Sequence, residues 1–232
     1  MFNMDRKTKF SYAFLLSILV LLTGCQTSST PPAPIDPPND PILKILFDQV
    51  TFPEGFTAKS DAFVYAYADL NGDNEDELFV LMQDAHFCEA EGCTGYLFDS
   101  SKQLLATFTS IKRPILLSRT GNHQWKNIVV ASGASLRLLR YDGQNYPFDA
   151  TSEPIFNRKS GKAIAHKLVV NSDLYQDGGY QLSERSDLSI LTPVEQFKFQ
   201  FKRESDSNSV FIATANAITG NVFFSKEVIK VD

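Results

Sequence analysis

The sequence predicts a mainly β protein, built as an antiparallel meander or sandwich with one short N-terminal helix. Three observations predict this fold class. Short apolar runs recur between Gly, Asn and Asp turns. The 19 Phe and 8 Tyr residues supply the aromatic side chains that strands favour. Phe197, Phe199 and Phe201 alternate with polar residues, which is the pattern of a half-buried strand.

The first 24 residues have the composition of a signal peptide. Arg6, Lys7 and Lys9 precede an apolar run over 10–22, which is too short to span a bilayer. Small residues follow it at the expected cleavage site. We therefore expect residues 1–24 to be removed on export.

The tetrapeptide Leu22-Thr-Gly-Cys25 resembles the lipobox of bacterial lipoproteins. The resemblance implies cleavage before Cys25 and acylation of that residue. Gln26, and not Asp, follows the cysteine, which in that family implies sorting to the outer membrane. The expected location is thus the outer membrane, through a lipid anchor, with the protein facing the periplasm. The alternative is an ordinary signal peptide with a chance cysteine, or a core strand.

Residues 25–39 are rich in Pro and Ser and lack apolar periodicity, so they predict a semi-rigid tether. Loss of Asp5, Arg6, Lys7 and Lys9 takes away net +2, and the formal charge of −5 becomes −7. An acidic chain without a basic run offers no electrostatic footprint for nucleic acid.

Folded structure is expected from Asp40, which can cap a helix that begins with Pro41. We divide the rest into a β domain over 40–154 and a C-terminal β region over 155–232, and leave open whether the two form one domain. Strands are predicted at 63–70, 77–83, 95–99, 104–111, 126–131, 136–141, 163–170, 197–201, 209–214 and 222–231. Hairpin turns are predicted at Asp142-Gly143, with return through Tyr146, and at 177–179.

The segment 69–77, DLNGDNEDE, is the densest cluster of potential metal ligands. Side-chain oxygens of Asp69, Asn71 and Asp73, the carbonyl of Glu75 and the carboxylate of Glu77 could supply the oxygen set that calcium requires. An EF-hand is excluded, because its twelfth position would be Val80. We expect a structural calcium ion in a strand-flanked loop, with Asp76 facing water. The alternative is an acidic turn held by Asx-type hydrogen bonds.

This loop resembles the DxNGDxxxE calcium loop of FG-GAP and VCBS-type repeats, with Glu77 where that family usually has Asp. Those repeats line the blades of β-propellers, but the sequence contains one copy, so the resemblance implies calcium binding and not a propeller. The stretch around Tyr65–Asp73, Cys88–Thr94 and Trp125–Val130 also resembles an uncharacterised domain of exported proteobacterial proteins.

Cys88 and Cys93 form an even pair once Cys25 is acylated, and in an oxidising compartment they are expected to form a disulfide. A zinc site that adds His86 is the alternative, although it lacks a fourth ligand.

Every recognisable motif concerns delivery, tethering or stabilisation. The sequence contains no HExxH, Gly-x-Ser-x-Gly or phosphate-binding loop. We therefore expect a non-enzymatic module that binds an envelope protein or glycan or supports the envelope. Two alternatives stay open: an inhibitor of an exogenous hydrolase such as lysozyme, and a hydrolase of the cell wall or of sugars.

Overall fold

Strands dominate the computed structural model, which describes residues 40–57, 59 and 61–229 and confirms the mainly β fold. The strands are β1 (Phe63–Ala68), β2 (Glu77–Met82), β3 (Cys88–Glu89), β4 (Gly92–Phe98), β5 (Leu104–Asn122), β6 (Trp125–Ser132), β7 (Ser135–Leu139), β8 (Gly179–Glu184), β9 (Thr192–Pro193), β10 (Gln196–Arg203), β11 (Asp206–Asn216) and β12 (Val222–Val228). The helices of the described part are α1 (Pro41–Gln49), α2 (Lys159–Val170) and α3 (Asp173–Gln176).

The first sheet has the order β1-β2-β4-β5-β6-β7, with β3 paired to β4 and β9 added to β5. All these pairs are antiparallel except β5–β9. The long strand β5 shifts register at Lys112/Ile115 and again at Leu117/Gly121, and such irregularities bend a strand. The sheet therefore curls, and the N–H of Lys126 in β6 donates to the carbonyl of Leu70 beyond β1 at 2.8 Å.

Apolar cores cover both faces of the sheet around β2. Helix α1 begins as predicted, since the Asp40 carboxylate accepts from Ile42 N and Leu43 N at 2.8 and 3.2 Å. Its buried side chains pack on one face, with a core of Ile42, Leu43, Leu46, Ala62, Phe63, Leu78, Val80, Met82, Phe87, Tyr96 and Phe98. The opposite core contains Phe79, Leu81 and Phe108. Strand β2 is therefore buried along its whole length.

The second sheet has the order β12-β11-β10-β8 and confirms the small C-terminal sheet. Phe197, Phe199 and Phe201 all point to its buried face, as their alternation predicts. Ala165 and Val169 of α2 pack on the same core. These two residues are four apart, which places them on one side of a helix.

Three local predictions are wrong. The turn at 177–179 closes no hairpin, because it connects helix α3 to β8, and β8 pairs with β10. The segment over 163–170 is helical and not a strand, because it buries residues at a spacing of four and leaves its other side exposed. The Asp142-Gly143 turn forms, with Asp142 N donating to Asn145 O at 3.1 Å, but no strand follows it. Tyr146 instead enters the core of the first sheet.

The two sheets are joined through the segment 188–196. Leu191 N donates to Ile115 O at 2.8 Å and Val194 N donates to Leu117 O at 2.9 Å, so β9 adds directly to β5. Leu188 packs on Leu116 and Val129 of the first sheet. Within the described ranges, no helix has both the length and the apolar composition needed to cross a membrane.

Candidate metal centre

The acidic loop connects two paired strands, as the sequence predicts. Ala68 at the end of β1 lies opposite Glu77 at the start of β2. Gly72 has a φ of +82°, a backbone conformation that favours glycine, although no atom lies within 4 Å of the position that a Cβ would take. Asp76 is exposed, as expected. The flanking strands hold the two ends of the loop together.

Side-chain oxygens of the loop accept hydrogen bonds from its own backbone. The Asp69 carboxylate accepts from Gly72 N at 2.6 Å and from Asn74 N at 3.2 Å. Asn71 Oδ1 accepts from Asp73 N, and Asp73 Oδ1 accepts from Glu75 N. The hydrogen bond from Gly72 is the main reason that the pKa of Asp69 is lowered. These are the Asx-type bonds of the ion-free alternative, and they also fix the loop conformation.

Glu77 is the buried carboxylate of the site, with an exposure of only 1%. Its Oε2 accepts from Leu70 N at 2.7 Å. Burial raises the pKa of Glu77, and the nearby charges of Asp73 and Asp69 raise it further, although the hydrogen bond from Leu70 opposes them. A carboxylate placed in this way is stabilised by any cation that approaches it.

Two carboxylates converge on a single donor. Asn71 Nδ2 donates to Asp73 Oδ2 at 2.8 Å and to Glu77 Oε1 at 3.2 Å. The neutral amide thus faces negative charge from two residues. The potential metal ligands in this loop are hard oxygen atoms, the type that calcium prefers. They suit a calcium ion better than a soft metal.

Not every predicted ligand takes part in this convergence. The Glu75 side chain is exposed and has no hydrogen bond within the described part, and only its backbone was expected to contribute. Across residues 40–57, 59 and 61–229, no three His, Cys, Asp or Glu side chains are already grouped as a metal site. Calcium binding by Asp69, Asn71, Asp73, Glu75 and Glu77 therefore stays a prediction.

Two residues distant in sequence support the loop and were missed by sequence reasoning. Lys126 Nζ donates to the carbonyl of Asp69 at 2.5 Å. The Tyr146 hydroxyl donates to the carbonyl of Lys126 at 2.6 Å, and burial raises the pKa of this tyrosine. Neither contact has a sequence signal, since both depend on how the sheet curls.

The cysteine pair forms the predicted disulfide between β3 and β4, with an S–S distance of 2.05 Å. The bonded sulfurs cannot act as thiolate ligands, so this state excludes the zinc alternative. His86 instead lies 2.6 Å from the Asp84 carboxylate. Cys25, the predicted lipidation site, lies outside the described residues.

Comparison with protein families, with curated proteins and with solved structures finds no match to this chain.

Proposed function

We propose that this protein is a non-enzymatic, lipid-anchored protein of the outer membrane, facing the periplasm and stabilised by one calcium ion. The anchor is supported by Cys25 and by the basic and apolar leader before it. The ion is supported by one observation above all, which is the convergence of Asp73 and Glu77 on the amide of Asn71.

Calcium in this loop would supply positive charge where the fold concentrates negative charge. Asp69, Asn71, Asp73 and Glu77, with the carbonyl of Glu75, would hold it. Neutralising the buried Glu77 would favour the folded state, so the ion has a structural role. In an extracellular module of this type, the dissociation constant is on the order of 10⁻⁴–10⁻³ M.

Thermal unfolding in calcium and in chelator tests the ion. At about 5 mM calcium, an affinity in this range adds roughly 1–2 kcal/mol to the free energy of unfolding. For a chain of this size, that raises Tm by roughly 2–8 °C. Isothermal titration should give one site per chain. No heat and no shift in Tm would refute the calcium site.

Two matched variants locate the ion. Asp73→Asn should abolish the calcium-dependent shift, because Asp73 is one of the two converging carboxylates. Asp76→Asn removes an equal charge from the same loop at an exposed position outside the ligand set, and it should keep the shift. An equal loss of the calcium-dependent Tm shift in both variants would indicate that calcium acts on the overall charge of the loop and has no specific site.

Fractionation of cells tests the anchor. The wild-type protein should sediment with outer membranes and carry acyl chains at its new N-terminus, whereas Cys25→Ser should lose the modification. A Cys25→Ser protein that still sediments with outer membranes would contradict anchoring by this residue. Mass spectrometry of the N-terminus gives the direct measurement.

The proposed partner is an envelope protein or a glycan. Crosslinking in intact envelopes, followed by capture of wild-type protein and of Asp73→Asn, tests this part. Enrichment of one component by the wild-type protein supports the proposal. Inhibition of lysozyme by the purified protein would favour the inhibitor alternative, and hydrolysis of cell-wall glycan would contradict a non-enzymatic role.

A further inference from the structure

A cleft of about 680 Å³ lies between the two sheets, where neither the disulfide nor the acidic loop reaches. Its volume is in the range of small-ligand sites, about 300–1,000 Å³. The apolar part of its wall includes Pro114, Leu136, Ile155, Phe156, Leu188 and Phe197. Ile155 is 68% exposed at the rim, so an apolar surface is open to solvent there.

Arg158 supplies a fixed positive charge in this wall. Its Nε donates to Val194 O at 2.9 Å, and its Nη2 donates to Gln196 O at 2.7 Å. The guanidinium lies 4.1 Å from the centre of the Phe197 ring. These contacts hold the side chain in place but use only two of its five N–H donors.

The charge of Arg158 has no direct counterion among the described residues. Glu184 and Glu195 are near enough to act on its pKa, which burial lowers, but neither forms an ion pair with it. Glu184 is paired with Lys162 at 2.5 Å. A half-buried guanidinium without a carboxylate partner favours an anion from outside the chain.

The other charges of the wall leave a positive excess. Arg185 pairs with Asp187 and Glu227 at 2.6 and 3.0 Å, so its charge is compensated. Lys159 forms no ion pair within the described part of the chain. It begins α2, whose first turn contains no acidic residue, so the helix dipole adds to the positive potential. This local excess contrasts with the net charge of −5 of the whole chain.

We propose that this cleft binds a small amphiphilic anion, with its oxyanion headgroup on Arg158 and Lys159 and its apolar body against Ile155 and Leu188. An inorganic anion alone would leave the apolar wall in water. A neutral apolar molecule would leave the guanidinium unpaired. The inference goes beyond the proposed anchor and calcium site, and it uses none of their residues.

Titration of the full chain with dodecanoate tests the proposal. Binding is measured by isothermal titration calorimetry at dodecanoate concentrations below the critical micelle concentration. Dodecyltrimethylammonium has the same chain with a cationic headgroup, and phosphate is an anion without a chain. Saturable binding of one dodecanoate per protein, much tighter than that of either comparison ligand, is the expected result. Equal binding of the two amphiphiles, or binding only to vesicles of anionic lipid, would overturn the proposal.

Variants then locate the headgroup. Arg158→Gln should weaken dodecanoate binding about 10- to 100-fold, the range of a charge-assisted hydrogen bond. Lys159→Gln changes an exposed side chain, so we expect it to fold normally and to weaken binding about 2- to 5-fold. Lys167→Gln, at an exposed position near the other end of α2, is the control and should have no effect.

The apolar wall needs a variant of its own. Ile155→Ser should weaken binding of dodecanoate more than binding of octanoate, because the longer chain buries more surface. If Arg158→Gln does not fold, comparison of Lys159→Gln with Lys167→Gln, together with Ile155→Ser, still tests whether dodecanoate binds in the cleft. Binding that none of these changes weakens would place dodecanoate elsewhere and refute the cleft.

Discussion

Glu77 is buried, so its charge should destabilise the folded protein without an ion and stabilise it when calcium is bound. A charged carboxylate that is 1% exposed and close to Asp73 and Asp69 is costly to bury. Glu77→Gln should therefore raise Tm in chelator by roughly 2–4 °C, which corresponds to about 1 kcal/mol. In millimolar calcium the wild-type protein should have the higher Tm, because only the wild-type protein binds the ion. Melting curves in both buffers give the measurement. A variant that melts lower in both would show that Glu77 has another structural role.

Asp187 provides a prediction about pH. Its carboxylate bonds Arg185 and Lys198, and the hydrogen bond from Arg185 is the main reason that its pKa falls to about 2. A lowered pKa stabilises the folded state above the ordinary value of 3.8, and this contribution is lost as the pH falls towards 2. Asp187 is 44% exposed, so screening limits the effect.

Asp187→Asn should lower the free energy of unfolding at pH 7 by roughly 0.5–1 kcal/mol. The difference from the wild-type protein should shrink between pH 3.8 and about 2. Urea unfolding across this range gives the measurement. Glu204→Gln removes an exposed carboxylate without an ion pair among the described residues, and serves as the control. A constant difference between Asp187→Asn and wild type at all pH values would contradict the ion-pair explanation.

The hairpin of β3 and β4 is closed by the Cys88–Cys93 disulfide, whose cysteines are five residues apart in sequence. So short a loop gains about 2 kcal/mol in the chain-entropy model. Cys88→Ala combined with Cys93→Ala should lower the free energy of unfolding by about this amount. The wild-type protein in strong reductant should match the double variant, which is the internal control. A loss well above 2 kcal/mol would mean that the disulfide also orders β5.

Elements with a local signal could be predicted from the sequence, and those that depend on distant contacts could not. A few consecutive residues are enough to predict the cap at Asp40, the loop between β1 and β2 and the alternation of β10. Helix α2 was missed because 163–170 ends in β-branched residues, and its two core contacts become visible only beside the second sheet. Half of β5 was missed because Pro114 interrupts an apolar pattern that the sheet nevertheless continues.

The candidate site divides in the same way. The acidic residues and the turn glycine are contiguous, so the sequence alone identifies them as possible ligands. Which carboxylate becomes buried is decided by the curled sheet, which also brings Lys126 and Tyr146 to the loop. Burial of Glu77 distinguishes this loop from a fully solvated acidic turn, and it has no signal in the sequence.

The two sheets should unfold together. The described residues belong to one compact unit, and β9 shares hydrogen bonds with β5 while leading into β10. We therefore expect a single calorimetric transition, with equal calorimetric and van't Hoff enthalpies. Calcium should move the whole transition upward. Two separate peaks, with one sensitive to calcium, would contradict this coupling.

The insertion of β9 beside β5 also determines how the protein can be shortened. A truncation that ends before Leu188 would remove the cover from Leu116 and Val129 and would uncap the outer backbone of β5. Bare strand edges and apolar patches of this kind recruit other chains, so such a fragment should aggregate and not survive as a minimal domain.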